Sequence, residues 1–155
     1  MMIATPEIIE STPRPTAVIH VTIPRDQIRS TMPEAINEII ATLSSQGLPP
    51  AGPLFEHHLT TSAERFDFEV GFPVNGRVTP AGRVKPGEQP GGRIARTVYQ
   101  GDYEGLFGAW SEFGAWMKRE GHVGRGDLWE IFLAGPESSE SPADWRTELC
   151  LPLKS

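Results

Sequence analysis

Apolar residues recur at helical spacing in two stretches of the chain and at strand spacing in several others. Ile36, Ile39, Ile40 and Leu43 form one helical stripe. Pro33 just ahead of it suits the first turn, where its missing N–H is not needed. Gly47 stands where a left-handed stop belongs, with Pro49-Pro50 beyond it. A second stripe, Leu106, Trp110, Phe113 and Met117, predicts a helix that opens near the capping residue Asp102 and ends at Gly121. Strands are predicted at Ile3–Glu10, Ala17–Ile23, Leu54–Leu59, Phe66–Val70, Arg93–Tyr99, Leu128–Leu133 and Trp145–Leu151. The clearest is Phe66-Asp67-Phe68-Glu69-Val70, which alternates with period two. Pro13 and Pro15 mark a corner, Pro50-Ala51-Gly52-Pro53 a connector, and Gly71-Phe72-Pro73-Val74 the close of a strand. The Gly- and Pro-rich stretch ending at Pro90-Gly91-Gly92 reads as a loop, as does the polar segment Pro136 to Pro142.

The C-terminal half repeats the N-terminal half. At an offset of 74 residues, Ala35 meets Ala109, Ala41 meets Ala115, and Gly47 meets Gly121. The same offset pairs Gly52 with Gly126, Leu54 with Leu128, Glu56 with Glu130, and Leu59 with Leu133. Average composition predicts about two identities over such a stretch. The expected fold is α+β: a duplicated β-α-β-β unit whose strands pair antiparallel, because they arrive in runs joined by short loops. Its two main helices are expected on one sheet face, with a ligand cleft between pseudo-symmetric halves. One domain is expected over residues 1–155, with repeat 1 at about 1–75 and repeat 2 at about 76–155.

Composition narrows the function. With 16 Gly and 15 Pro in 155 residues, a helical bundle is excluded. No apolar run is long enough for a membrane helix, and the N-terminus lacks the basic and apolar regions of a secretory signal. A cytoplasmic protein is therefore expected. A net charge of −6 argues against direct nucleic-acid binding and admits a cationic ligand. Arg77, Arg83, Lys85, Arg93 and Arg96 are a local basic exception, read as a solvated loop rather than a phosphate site. The single cysteine, Cys150, lies in an apolar run and is expected to be a buried, inert thiol.

The most informative tetrapeptide is Trp129-Glu130-Ile131-Phe132. On a strand, Trp129 and Ile131 face one side, Glu130 and Phe132 the other. If Trp129 and Ile131 pack on the helices, Glu130 and Phe132 face the cleft. A carboxylate beside aromatics there binds a hydrophobic cation or serves as a general acid or base. A solvated strand position explains Glu130 equally well, and Glu56 is uncommitted. Tyr103 either leans over the end of the cleft or staples the helix start. Phe132, with Phe68 and Trp110, is a candidate apolar wall; Phe68, Tyr99 and Trp116 could each line a cavity, but residues of this kind are more often core. His57 and His58 point to opposite strand faces, and His20 and His122 show no ligand spacing, so no metal is expected. No cofactor is expected either, since there is no phosphate-binding loop, dinucleotide fingerprint or nucleophile elbow.

Several segments, in order, resemble the GyrI-like small-molecule-binding family. They are Pro50-Ala51-Gly52-Pro53-Leu54-Phe55, Asp67-Phe68-Glu69-Val70-Gly71-Phe72-Pro73-Val74, Pro90-Gly91-Gly92-Arg93-Ile94-Ala95, Gly101-Asp102-Tyr103-Glu104-Gly105-Leu106, Trp129-Glu130-Ile131-Phe132-Leu133 and Asp144-Trp145-Arg146-Thr147-Glu148-Leu149. The family is similar to the effector-binding domains of AraC-type and MerR-type regulators and to the DNA gyrase inhibitory protein. The resemblance implies two pseudo-symmetric β-α-β-β units with a ligand cleft between them. It also implies that Glu130 meets cationic aromatic compounds against aromatic side chains. Some stand-alone members are hydrolases that open the cyclopropane of DNA-alkylating natural products. That gives Glu130 and Tyr103 catalytic roles in the alternative reading, water activation or proton donation for Glu130 and substrate orientation for Tyr103. A further alternative is a protein partner bound in the manner of a gyrase inhibitor. Many relatives carry a Gly-Pro-Tyr-Glu-like turn where this chain has Pro24-Arg25-Asp26-Gln27-Ile28, so no aromatic wall is carried over there. No helix-turn-helix is expected, because the duplicated unit occupies the chain. The leading expectation is a stand-alone binder of hydrophobic aromatic molecules, cationic ones included, acting in sensing or sequestration.

Overall fold

A computed structural model describes residues 3–24, 27–61, 65–136 and 138–154. Arg25 and Asp26, where the chain departs from the family turn, lie outside the described residues. The order of elements is β1 (Glu7–Ser11), β2 (Arg14–Pro24), α1 (Ile28–Ser45), β3 (Phe55–Thr61), β4 (Arg65–Pro73), β5 (Lys85–Gln89), β6 (Gly92–Gln100), α2 (Leu106–Arg119), β7 (Leu128–Ala134) and β8 (Arg146–Pro152). The fold is α+β, and these elements divide into two compact units. One comprises residues 12–91, and the other joins residues 3–11 to residues 92–154.

In the first unit the strands lie in the order β3-β4-β2-β5, each pair antiparallel. Period-two alternation turns Ala17, Ile19 and Val21 of β2, with Phe68 and Val70 of β4, toward α1. There they form one core with Ala35, Ile39 and Leu43. Each large side chain buried in this way contributes ~1.5–3 kcal/mol. The helix seam is thus Ala35, Ile39 and Leu43. Ile36 is half-buried at its edge and Ile40 is 45% exposed, because it lies about 100° round the helix from Ile39.

Two expectations are corrected here. The helix starts at Ile28, not at Pro33, which falls in the second turn. The missing N–H there removes one helical bond, a cost of roughly 3 kcal/mol that the buried seam offsets. The Gly- and Pro-rich stretch expected to be a loop contains β5, paired with Arg14–Val18 of β2. As an edge strand it tolerates Pro86. Gly87 is needed there because a Cβ would come within 2.8 Å of Thr16 Oγ1.

In the second unit the order is β1-β6-β8-β7, again antiparallel. Ala95 and Tyr99 of β6 and Leu149 of β8 pack with Ala109, Phe113 and Met117 of α2, closed by Ile3. Both units contain the run strand, helix, strand, strand (β2-α1-β3-β4 and β6-α2-β7-β8), to which the first adds β5 and the second β1, and three local details recur at the 74-residue offset. Gly47 and Gly121 end the helices with φ of +64° and +75°. In the turns they form, Leu48 N–H donates to the Leu43 carbonyl and His122 N–H to that of Met117. Strand registers slip between His58 and Thr60 and between Phe132 and Ala134.

The basic stretch is largely ion-paired and partly on strands, not a solvated loop. Arg83 pairs with Glu38 at 2.8 Å, Arg96 with Glu7 at 2.7 Å, and Lys85 with Glu69 at 3.5 Å. Cys150 is buried, and burial first, then nearby Glu148, pushes its thiol well above the usual range.

Glu69 provides an acid-stability prediction. A hydrogen bond from His57 holds its carboxyl below the ordinary value of 4.5, against partial burial. A depressed folded-state pKa means stability that is present above the unfolded value and lost as pH falls through the folded one. Glu69→Gln is therefore expected to destabilise the protein near neutrality. The gap from wild type should close as pH drops below 4.5 in urea unfolding. A gap independent of pH would contradict this.

Candidate functional site

Four of the five candidate residues lie in the second unit, on its α2 side. Cross-strand partners share a sheet face. Glu130 pairs with Leu149, which packs against α2, and Phe132 pairs with Thr147. Trp129 and Ile131 pair with Cys150 and Glu148 on the other face. The expected division of the tetrapeptide holds, but it is Glu130 and Phe132 that lie on the helix side. Trp110, one helical turn from Phe113, donates its indole N–H to Glu130 Oε2 at 2.7 Å. Both groups are half-buried, so this is a charge-assisted bond that fixes the carboxylate's orientation.

Tyr103 is placed by a tightly built turn. Gly101 adopts φ +143°, and its N–H donates to the Trp145 carbonyl at 2.9 Å. Asp102 then caps the short 3₁₀ turn Tyr103–Gly105, its Oδ1 accepting the Gly105 N–H at 3.1 Å. The buried Tyr99 ring lies directly beneath, and a Cβ on Gly105 would fall on its hydroxyl oxygen. Burial raises the Tyr99 pKa above 10.0. The result is a Tyr103 ring 38% exposed. It tilts against Trp145 at 4.9 Å between centroids and meets Phe132 edge-on at 5.8 Å. Trp145 is itself held by its indole N–H on the Ser139 carbonyl at 2.9 Å.

Four of the five expected residues, Glu130, Tyr103, Phe132 and Trp110, are thus in one unit, and a fourth aromatic joins them. Trp145 is not among the expected wall residues, although Asp144-Trp145-Arg146 belongs to the family-like pattern. Its signal is its place just ahead of β8, the strand that pairs with β7. Phe68 sits in the first unit with no exposed surface, packed in the α1 core and stacked on His58 at 5.4 Å. It offers no face to a ligand in this conformation. Glu56, at the position equivalent to Glu130, is buried and 3.0 Å from His58 Nε2. A spacing of two along a strand puts that pair on one face. A separate depression on α2 is lined by Ile3, Pro6, Glu112, Ala115, Trp116 and Arg119, none of which is among these candidates.

An α+β unit that presents a fixed carboxylate beside clustered aromatic rings has the make-up of a small-molecule-binding domain. The chain belongs to the GyrI-like family: the model of the GyrI-like small molecule binding domain matches residues 4–154. No curated protein matches the chain. Among solved structures it is similar to the EcmrR C-terminal domain, at 17% identity and a TM-score of 0.87, covering 100% of this chain and 99% of that one. It spans 59% of the EcmrR chain in the EcmrR–DNA complex. It is also similar to a hydrolase from Listeria innocua, at 16% identity and a TM-score of 0.69, covering 96% and 91% of the two chains. A third is SAV2435 bound to tetraphenylphosphonium, at 10% identity and a TM-score of 0.71, covering 98% and 95%. Among the described residues, no helix is long and apolar enough to cross a membrane.

Proposed function

We propose that this domain binds hydrophobic aromatic molecules, cationic ones included, on Tyr103, Phe132, Trp145, Trp110 and Glu130. The observation that carries this reading is the Glu130 carboxylate, fixed by Trp110 on the strand that also bears Phe132, with Tyr103 against that ring and Trp145 against Tyr103. Rings at such positions offer π faces to a cation, each worth about 0.5–2 kcal/mol, and the carboxylate supplies the opposite charge. SAV2435, which shares the fold, is bound to tetraphenylphosphonium. The likeness to the EcmrR C-terminal domain supports an effector-sensing role, with sequestration as the other use of such a binder.

Tetraphenylphosphonium is the probe. Glu130→Gln preserves shape and removes the charge, so calorimetry should show affinity for this cation weakened about tenfold, which equals about 1.4 kcal/mol. Affinity for a neutral aromatic of similar size should change little. Equal effects on both would remove the charge role from Glu130.

A hydrolytic reading draws on the same carboxylate, since a Glu fixed by an indole N–H is oriented to activate water, and on the likeness to the Listeria hydrolase. Its signature is gain of one water by a cyclopropane-bearing substrate, seen by mass spectrometry and abolished in Glu130→Gln. No turnover across a panel of such compounds leaves the binding reading in place.

A further inference from the structure

Thr147 of β8 is the middle residue of a row on the α2 face of the second unit. Its register partners are Phe132 of β7 and Tyr99 of β6, and cross-strand partners share a face. Two residues onward, Leu149 packs against α2. Two residues back, Trp145 has extended backbone and meets the Tyr103 ring, which also meets Phe132. Thr147 is fully buried, yet its hydroxyl has no hydrogen-bond partner among the described residues. Thr97, on the same face of β6, shows the ordinary arrangement: its hydroxyl donates to the Ala4 carbonyl.

Strand pairing does not require a hydroxyl at this place. In the first unit the equivalent row is Val21, Phe68 and His58, with Phe68 in the middle. That ring fills the α1 core. The second unit has the much smaller Thr147 there, beside the half-buried Phe132. A buried hydroxyl left unpaired is destabilising, and a partner brought by a ligand removes that penalty.

We propose that Thr147 is a specificity-determining residue of the binding site proposed above, on which this inference rests. Its hydroxyl bonds an oxygen substituent, a phenolic hydroxyl or a carbonyl, on an aromatic ligand. A hydroxyl both donates and accepts, so Thr147 serves either substituent. A ligand ring laid against Phe132 and Trp145, with Tyr103 on its outer side, brings the substituent over Thr147. Reaching that place takes a change of rotamer at Tyr103 and leaves the Asp102-capped turn as it is. The ligand class narrows accordingly, from hydrophobic aromatics in general to those carrying an oxygen at their buried end.

Two cations that differ by one oxygen test this: tetraphenylphosphonium and its para-hydroxyphenyl analogue, each titrated by calorimetry. The wild-type protein should bind the hydroxylated cation more tightly by about 2- to 10-fold, the worth of one net hydrogen bond. Thr147→Val keeps the branched shape and should erase that preference, whereas Thr147→Ser should retain it. Equal affinities in the wild type, or a preference that survives in Thr147→Val, would overturn the inference and leave the binding reading standing. No saturable binding of either cation would overturn both. Without ligand, Thr147→Val should melt no lower than wild type, since the hydroxyl it removes is unpaired. A lower melting temperature would mean that the hydroxyl already has a partner inside the protein, and would overturn the proposal.

Discussion

Phe68→Ala is expected to lower the unfolding free energy by ~3–5 kcal/mol, the cost of emptying an aromatic site in a closed core. Phe68 has no exposed surface, and its neighbours Ile19, Val70, Ile39 and Leu43 are enclosed as well. Little relaxation is available to fill the void, which places the expected cost toward the upper end. Phe132→Ala makes the informative contrast. That ring is half-buried and touches Tyr103, so its loss should cost less stability and more ligand affinity. Urea unfolding of both variants, paired with calorimetry using tetraphenylphosphonium, separates the two roles. A Phe68→Ala protein of normal stability would remove Phe68 from the core.

Gly105→Val is expected to be the most damaging change at the proposed binding site. Its Cβ would be driven onto the Tyr99 hydroxyl, and Tyr99 is locked in the core of the second unit. Relief requires unseating Tyr99 or opening the Asp102-capped turn, and overpacking of this kind costs about 1–3 kcal/mol or more. Opening the turn moves Tyr103 away from Trp145 and Phe132, so ligand affinity should fall with stability. Tyr99→Phe removes the clashing oxygen, although the ring carbon that bore it would remain 2.8 Å from the new Cβ. Partial recovery of the melting temperature in Gly105→Ala/Tyr99→Phe relative to Gly105→Ala is therefore expected. No recovery would mean that the hydroxyl is not the obstacle.

Much of this arrangement was legible from the chain. The stripes Ile39/Leu43 and Phe113/Met117 marked the buried helix faces, and Gly47 and Gly121 marked their ends, because a left-handed turn is inexpensive only for glycine. β5 was hidden because Lys85-Pro86-Gly87-Glu88-Gln89 has no apolar alternation; its pairing with β2 comes from edge position. Strand parity separated Glu130 and Phe132 from Trp129 and Ile131. It did not say which pair met α2, since both are rich in large apolar groups. For Phe68, alternation identified a buried face without distinguishing burial by a helix from burial by a ligand. The places of Trp145 and Thr147 in the proposed site both depend on register between strands distant in sequence, which no local pattern reports.

The central claim is that ligand is held on the α2 side of the second unit, and its four tryptophans report on it directly. Trp110 and Trp145 belong to the proposed site, whereas Trp129 lies on the opposite sheet face and Trp116 farther along α2. Titrating tetraphenylphosphonium into ¹⁵N-labelled protein should shift the indole N–H signals of Trp110 and Trp145. Those of Trp116 and Trp129 should stay in place. Saturable binding that leaves Trp110 and Trp145 unmoved would contradict the account.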